Sequence, residues 1–85
     1  MKVVIMIKIP KDIESFYSRR LKEEVHENLH SNYWKWLRFF LDFCDKYNFP
    51  NFEKTSISHF QQKLALKGQK PNQLEEALQA SLLFQ

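Results

Sequence analysis

An all-α domain, with four short helices around an aromatic core, is the fold class this sequence predicts. Three observations carry that expectation. Apolar residues recur at spacings of three and four in four successive segments, which is the period of a helix face. Between the segments stand Pro50, Gly68 and Pro71, residues that end or begin helices. The composition, with 8 Phe, 3 Tyr and 2 Trp but one glycine in 85 residues, suits a small aromatic core and argues against glycine-based hairpins.

The elements follow in order. Lys2 to Ile9 is β-prone and ends at Pro10, which continues neither regular element. Residues 1–10 are therefore read as an extended arm, a strand or a frayed segment, ahead of one helical domain spanning 11–85. From about Asp12 to Lys22, the spacing of Ile13, Phe16, Tyr17 and Leu21 gives a first helical stripe. The second helix is the clearest: Leu29, Tyr33, Trp36, Leu37, Phe40, Cys44 and Tyr47 keep the spacing over about five turns. Lys35, Arg38, Asp42 and Lys46 fall on its opposite, polar face. Phe39 and Phe43 lie off the stripe and Trp34 sits at its edge; the three are expected to pack under the first helix, the alternative being part of a partner surface.

Asn48 to Lys54, with Pro50 inside, reads as a loop. Thr55 or Ser56 is expected to cap a third helix with Ile57, Phe60, Gln61 and Leu64 inward, and Gly68 to end it. Asn72 followed by Glu75 has the form of a capping box and would open a fourth helix, striped by Leu74, Ala77, Leu78 and Leu82. Its helical signal runs to Gln85 without a stop residue, as in a segment cut from a longer chain.

Composition also excludes. One cysteine rules out an internal disulfide framework and fits a reducing compartment. The longest apolar run, Val3 to Ile7, is too short for a membrane span or a signal-peptide core. The single glycine speaks against a glycine-rich phosphate loop. A net charge of +3 permits a nucleic-acid partner without demanding one.

His26-Glu27-Asn28-Leu29-His30 reads H-E-x-x-H, a spacing that on one helix lets two imidazoles ligate zinc while the glutamate polarises a bound water. The context opposes it. Glu23 and Glu24 charge the upstream turn, and no third ligand has a sequence cue, so no metal is expected. Cys44, on the apolar face of the second helix, is expected to be a buried small hydrophobe and not a nucleophile. The remaining polar candidates are basic: Lys35 and Arg38 on the second helix, and Lys63, Lys67 and Lys70 along and beyond the third. Such side chains neutralise phosphates, and Asn72 and Gln73 at a helix start can donate to phosphate oxygens or base edges.

The run Tyr33-Trp34-Lys35-Trp36-Leu37-Arg38-Phe39-Phe40-Leu41-Asp42-Phe43-Cys44-Asp45-Lys46-Tyr47 resembles the signature of the N-terminal core-binding (SAM-like) domain of tyrosine recombinases, the phage and integron integrases. The likeness continues through Phe49-Pro50, Phe60-Gln61-Gln62-Lys63-Leu64, Lys67-Gly68-Gln69, Ala77 and Ala80. Upstream, Ile9-Pro10 and Phe16-Tyr17 suit the group's first helix, so about residues 9 to 85 are covered. The resemblance implies a four-helix SAM-like bundle that forms one arm of a clamp on duplex DNA. The catalytic arm, with its Arg, His, Lys and nucleophilic Tyr, is absent from this chain. Tyr17, Tyr33 and Tyr47 lie in core patterns and are not that nucleophile.

The family places core-domain helices in the major groove and on phosphates, which here maps to the second and fourth. Glu75 and Glu76, and Phe84 where relatives often carry Tyr, depart from that pattern. The expected function is DNA binding in integration and recombination, without chemistry of its own. Lys35, Arg38, Lys63, Lys67, Lys70, Asn72 and Gln73 would make the contacts. Expected partners are double-stranded DNA and other recombinase protomers in a synaptic complex, in the cytoplasm of a bacterium or encoded by a mobile element. No cofactor, small-molecule substrate or membrane is expected. Two alternatives stand beside this reading: a small zinc peptidase-like protein using His26, Glu27 and His30, and a helical protein–protein adaptor.

Overall fold

The computed structural model describes residues 9–51 and 53–85. The arm expected over residues 1–10 thus falls almost wholly outside the described residues. Four helices follow: α1 (Lys11–Glu24), α2 (His30–Tyr47), α3 (Lys54–Leu66) and α4 (Pro71–Phe84), with one 3-10 turn at Glu27–Leu29 before α2. No strand occurs among the described residues.

Local chemistry explains each boundary. α1 carries Asp12 and Glu14 in its first turn and Lys22 in its last, charges that complement the helix dipole. α2 ends where Asn48 takes a left-handed conformation (φ 61°) and the Phe49 N–H reaches the Cys44 carbonyl at 2.9 Å. Gly68 (φ 85°) ends α3 as expected, with Gly68 N–H on Ala65 O at 3.0 Å and Gln69 N–H on Leu64 O at 3.1 Å.

Two caps differ from the sequence reading. α3 begins at Lys54 behind Glu53, and neither Thr55 nor Ser56 caps it. Ser56 is buried in the first turn, and its hydroxyl donates to the Pro50 carbonyl, tying down the α2–α3 loop. α4 starts earlier than the Asn72–Glu75 box would place it. Pro71, lacking an N–H and already fixed near helical φ, takes the first helical position, and Gln73 Oε1 accepts the Lys70 N–H at 3.1 Å. Glu75 instead accepts from Gln79 Nε2 at 2.9 Å.

α4 packs against each of the other three helices. Its inner face is made of small residues, Ala77, Ala80 and Ser81, which let neighbouring backbones approach; the Ser81 hydroxyl is satisfied by the Ala77 carbonyl at 2.8 Å. Tyr17 of α1 donates its hydroxyl to Ala80 O at 2.7 Å, and Trp36 of α2 donates Nε1–H to Glu76 Oε1 at 2.9 Å. Phe40 fills the centre, edge-on to Phe60 at 5.4 Å and to Phe84 at 6.4 Å. Leu74, Leu78 and Leu82 are only half-buried, so the deepest line of α4 runs through its alanines and Phe84.

The off-stripe aromatics divide. Trp34 meets Tyr17 of α1 edge-on at 5.2 Å, as expected. Phe43 does not: nine residues at about 100° each turn it half a circle away, and it is buried against Phe49 and Phe60. Phe39 stays 38% exposed, edge-on to Trp36. Leu29 and Tyr47, assigned to the apolar stripe, are also exposed. Leu29 belongs to the 3-10 turn and so falls out of register, and Tyr47 is the last residue of α2. Cys44 is a free, buried thiol pushed up to about 11 by burial, in keeping with a small core hydrophobe.

Burial holds the Tyr17 phenol above its ordinary range, with Tyr33 adding to the shift. The unfolded chain ionises that phenol near about pH 10 whereas the folded chain keeps it neutral, so stability present below that pH is lost above it. Tyr17→Phe is expected to lower the melting temperature by about 4–8 °C at neutral pH through loss of a hydrogen bond of about 1 kcal/mol. It also flattens the alkaline decline; melting followed by circular dichroism across pH 7 to 11 checks both.

Candidate nucleic-acid interface

The H-E-x-x-H residues do not share a helix. His26 precedes the 3-10 turn and caps it, accepting the Asn28 N–H, whereas His30 opens α2. His30 Nε2–H donates to Leu21 O at 3.0 Å and Val25 O at 2.8 Å, holding the carbonyl end of α1. With both partners acceptors, that nitrogen carries a proton and offers no lone pair to a metal. Among the described residues no three His, Cys, Asp or Glu side chains are grouped to hold a metal ion. No helix there is long and apolar enough to cross a membrane.

The basic side chains are positioned by α2 and α3. Between these helices lies a cleft of about 230 Å³. Trp36, Phe39, Asp42, Lys46 and Tyr47 line it from α2, and Phe60 and Lys63 from α3, with Lys67 and Gln69 just past the end of α3. Lys63 and Lys67, one helical turn apart, face the C-terminal end of α2. Lys63 Nζ lies 5.4 Å and Lys46 Nζ 5.6 Å from the centre of the Tyr47 ring. Lys35 Nζ stands 4.5 Å from the ring centre of Trp36, which forms part of the cleft wall. Among the described residues the ion pair is Arg20–Glu24 at 3.1 Å, so these lysines keep their charge uncompensated by a bonded carboxylate. Asp42 is the acid within the cleft.

Of the residues singled out in the sequence, Lys63 and Lys67 thus line one cleft, and Lys35 stands beside its Trp36 wall. Lys70 and Asn72 are exposed at the start of α4, just beyond Gln69, while the Gln73 side chain is engaged by the Lys70 N–H. Arg38 sits elsewhere, in an open cleft between α1 and α2 shared with Lys11, Ser18, Trp34 and the acids Glu14 and Glu27. Lys46 and Tyr47 were not among the sequence candidates, and Phe39 entered only as an alternative partner-surface residue. Lys46 lies eleven residues from Lys35, three helical turns along the same face, and that spacing was the available signal. The acidic residues of α4 have structural roles: Glu76 turns toward α2, taking the Trp36 indole and Asn32 Nδ2 (3.4 Å), and Glu75 pairs with Gln79.

Residues 13–85, which include all four helices apart from the first two residues of α1, match the family described as phage integrase, N-terminal SAM-like domain. The chain belongs to that family, whose domain is separate from the catalytic one. No curated protein and no solved structure matches.

The lysine cluster acts on Tyr47. Hydrogen bonding from Lys63, followed by the charges of Lys46, Lys63 and Lys67, lowers its phenol below the ordinary range, whereas burial raises those of Tyr33 and Tyr17. In an ultraviolet titration of the folded protein, Tyr47 is therefore the first phenol to ionise. Lys63→Met is expected to move that first midpoint up; three coincident midpoints unaffected by the substitution would contradict the arrangement.

Proposed function

We propose that this domain is the core-binding arm of a site-specific tyrosine recombinase, which grips duplex DNA while a separate catalytic arm performs strand exchange. Membership of the integrase SAM-like family supports the recombinase setting. The observation that carries DNA binding is that Lys46, Lys63 and Lys67 line one cleft, with Lys35 beside its Trp36 wall and, among the described residues, no ion pair to occupy them. Ammonium groups without a bonded carboxylate neutralise phosphates and release counterions. Lys70 and Asn72, at the start of α4, extend this surface, and the α4 N-terminus adds a favourable dipole. Arg38, in the neighbouring cleft between α1 and α2, lies outside this surface. The domain works in the cytoplasm alongside other recombinase protomers in a synaptic complex, and catalyses nothing alone.

With a net charge of only +3, the isolated domain binds duplex weakly and with strong salt dependence. Fluorescence anisotropy with a labelled duplex across a salt series tests this. Lys63→Ala with Lys67→Ala is expected to reduce the slope of log K against log salt by about 2 units, near 0.9 for each phosphate no longer neutralised. The melting temperature should stay nearly unchanged. An unchanged slope removes the cleft from the interface; failure to bind at low salt returns the domain to the adaptor reading.

A further inference from the structure

We infer that the surface of α2 and α4 that receives α1 also takes α1 of a second copy, the two chains exchanging first helices by straightening the elbow between α1 and α2. From Lys11 to Tyr47 the sequence holds neither glycine nor proline. The chain nevertheless breaks there into two helices. Val25 (φ −128°, ψ 136°) and His26 (φ −60°, ψ 140°) make the break, both with extended ψ. The turn Glu27–Leu29 that follows is already 3-10 helical, and His30 stands in the right-handed helical region. Neither valine nor histidine resists a helix as glycine or proline does. The same residues therefore suit one continuous helix over Lys11–Tyr47, about 55 Å long. Tertiary contacts, and not local chemistry, bend it.

Those contacts are few. Within α1 only Tyr17 and Leu21 are buried. The Tyr17 hydroxyl donates to Ala80 O and its ring meets Trp34. Open clefts flank the helix, one toward α2 beside Ser18 and Arg38, the other toward α4 beside Arg20 and Leu82. An α1 from a second copy, seated in the same groove, makes every one of these contacts again, so a closed two-fold exchange alters the elbow alone. Straightening pairs the orphan carbonyls at the end of α1 with the orphan N–H groups at the start of α2. It breaks the bonds from His30 Nε2–H to Leu21 O (3.0 Å) and Val25 O (2.8 Å), and the His26 cap on the Asn28 N–H. In a continuous helix His30 lies about 13.5 Å beyond Leu21 along the axis, out of reach of its carbonyl. His30 is thus the latch that folds each α1 back onto its own chain.

The test is size-exclusion chromatography with light scattering on the 85-residue chain, warmed to its melting midpoint and cooled at concentrations from micromolar to millimolar. A species of twice the chain mass is expected to grow with concentration. His30→Ala removes the latch and is expected to raise the dimer association constant by at least about tenfold, since the bent form alone loses its hydrogen bonds. Glu27→Pro works the other way. Glu27 opens the 3-10 turn, a position proline suits, and the His26 ψ of 140° is one that a following proline favours. Within a continuous helix the same proline clashes with the carbonyl four residues back and removes a hydrogen bond. The variant is therefore expected to fold, with a melting temperature by circular dichroism no lower than that of the unmodified chain, and to form no dimer. A dimer built on an outer face would ignore that proline, so a dimer that survives Glu27→Pro overturns the inference. A chain that stays monomeric at every concentration, both unmodified and as His30→Ala, overturns it as well.

Discussion

Trp36 places a large indole almost wholly inside a small domain, and its N–H must find an acceptor there. An unsatisfied donor at such a site costs about 1–3 kcal/mol. Glu76 on α4 supplies the acceptor at 2.9 Å and also takes Asn32 Nδ2 at 3.4 Å, so one carboxylate ties the register of α4 to α2. The rest of the core follows from that register. It brings Ala77, Ala80 and Ser81 to the buried side, presents the Ala80 carbonyl to Tyr17 of α1, and lays Phe84 against Phe40. With α4 held in this way, α3 closes on Phe40 and Phe43 through Phe60, and Lys63 and Lys67 arrive beside the end of α2. Trp36 therefore belongs to two systems, as a core anchor on one side and, beneath Lys35, as part of the cleft wall on the other.

The helices were legible because their apolar spacing is long and regular, and Gly68 was legible because a left-handed cap favours glycine on steric grounds alone. The caps of α3 and α4 were not. Ser, Thr and Asn cap well, but they compete with whatever tertiary partner lies nearby. Here Ser56 is drawn to the Pro50 carbonyl, and Pro71 pre-empts the start of α4. Phe43 was misplaced because a helix buried on more than one side has no single apolar stripe. Helical periodicity tells which residues share a face, not which neighbour covers it.

The same distinction governs the site. Lys63 and Lys67 are one turn apart in the sequence and were visible as a pair. Lys46 and Tyr47, on another helix, joined them only through tertiary packing. Glu76 looked like an obstacle to a nucleic-acid surface because sequence displays its charge but not its direction; the indole of Trp36 and the amide of Asn32 turn that charge toward α2. The H-E-x-x-H spacing misled in the opposite sense. Its five residues straddle a break between two helices, and His30 is spent on the carbonyl end of α1.

On this account the proposed DNA surface is the cleft built where α2 and α3 meet, and not the neighbouring cleft between α1 and α2 that holds Arg38. Amide-resolved NMR of the isotopically labelled chain, titrated with DNA at low salt, addresses that choice residue by residue. The account predicts that the largest shifts fall on Phe39, Lys46, Tyr47, Lys63, Lys67 and Gln69, with smaller ones at the start of α4. Shifts centred on Ser15, Ser18 and Ser31, with the α2–α3 cleft silent, would contradict it.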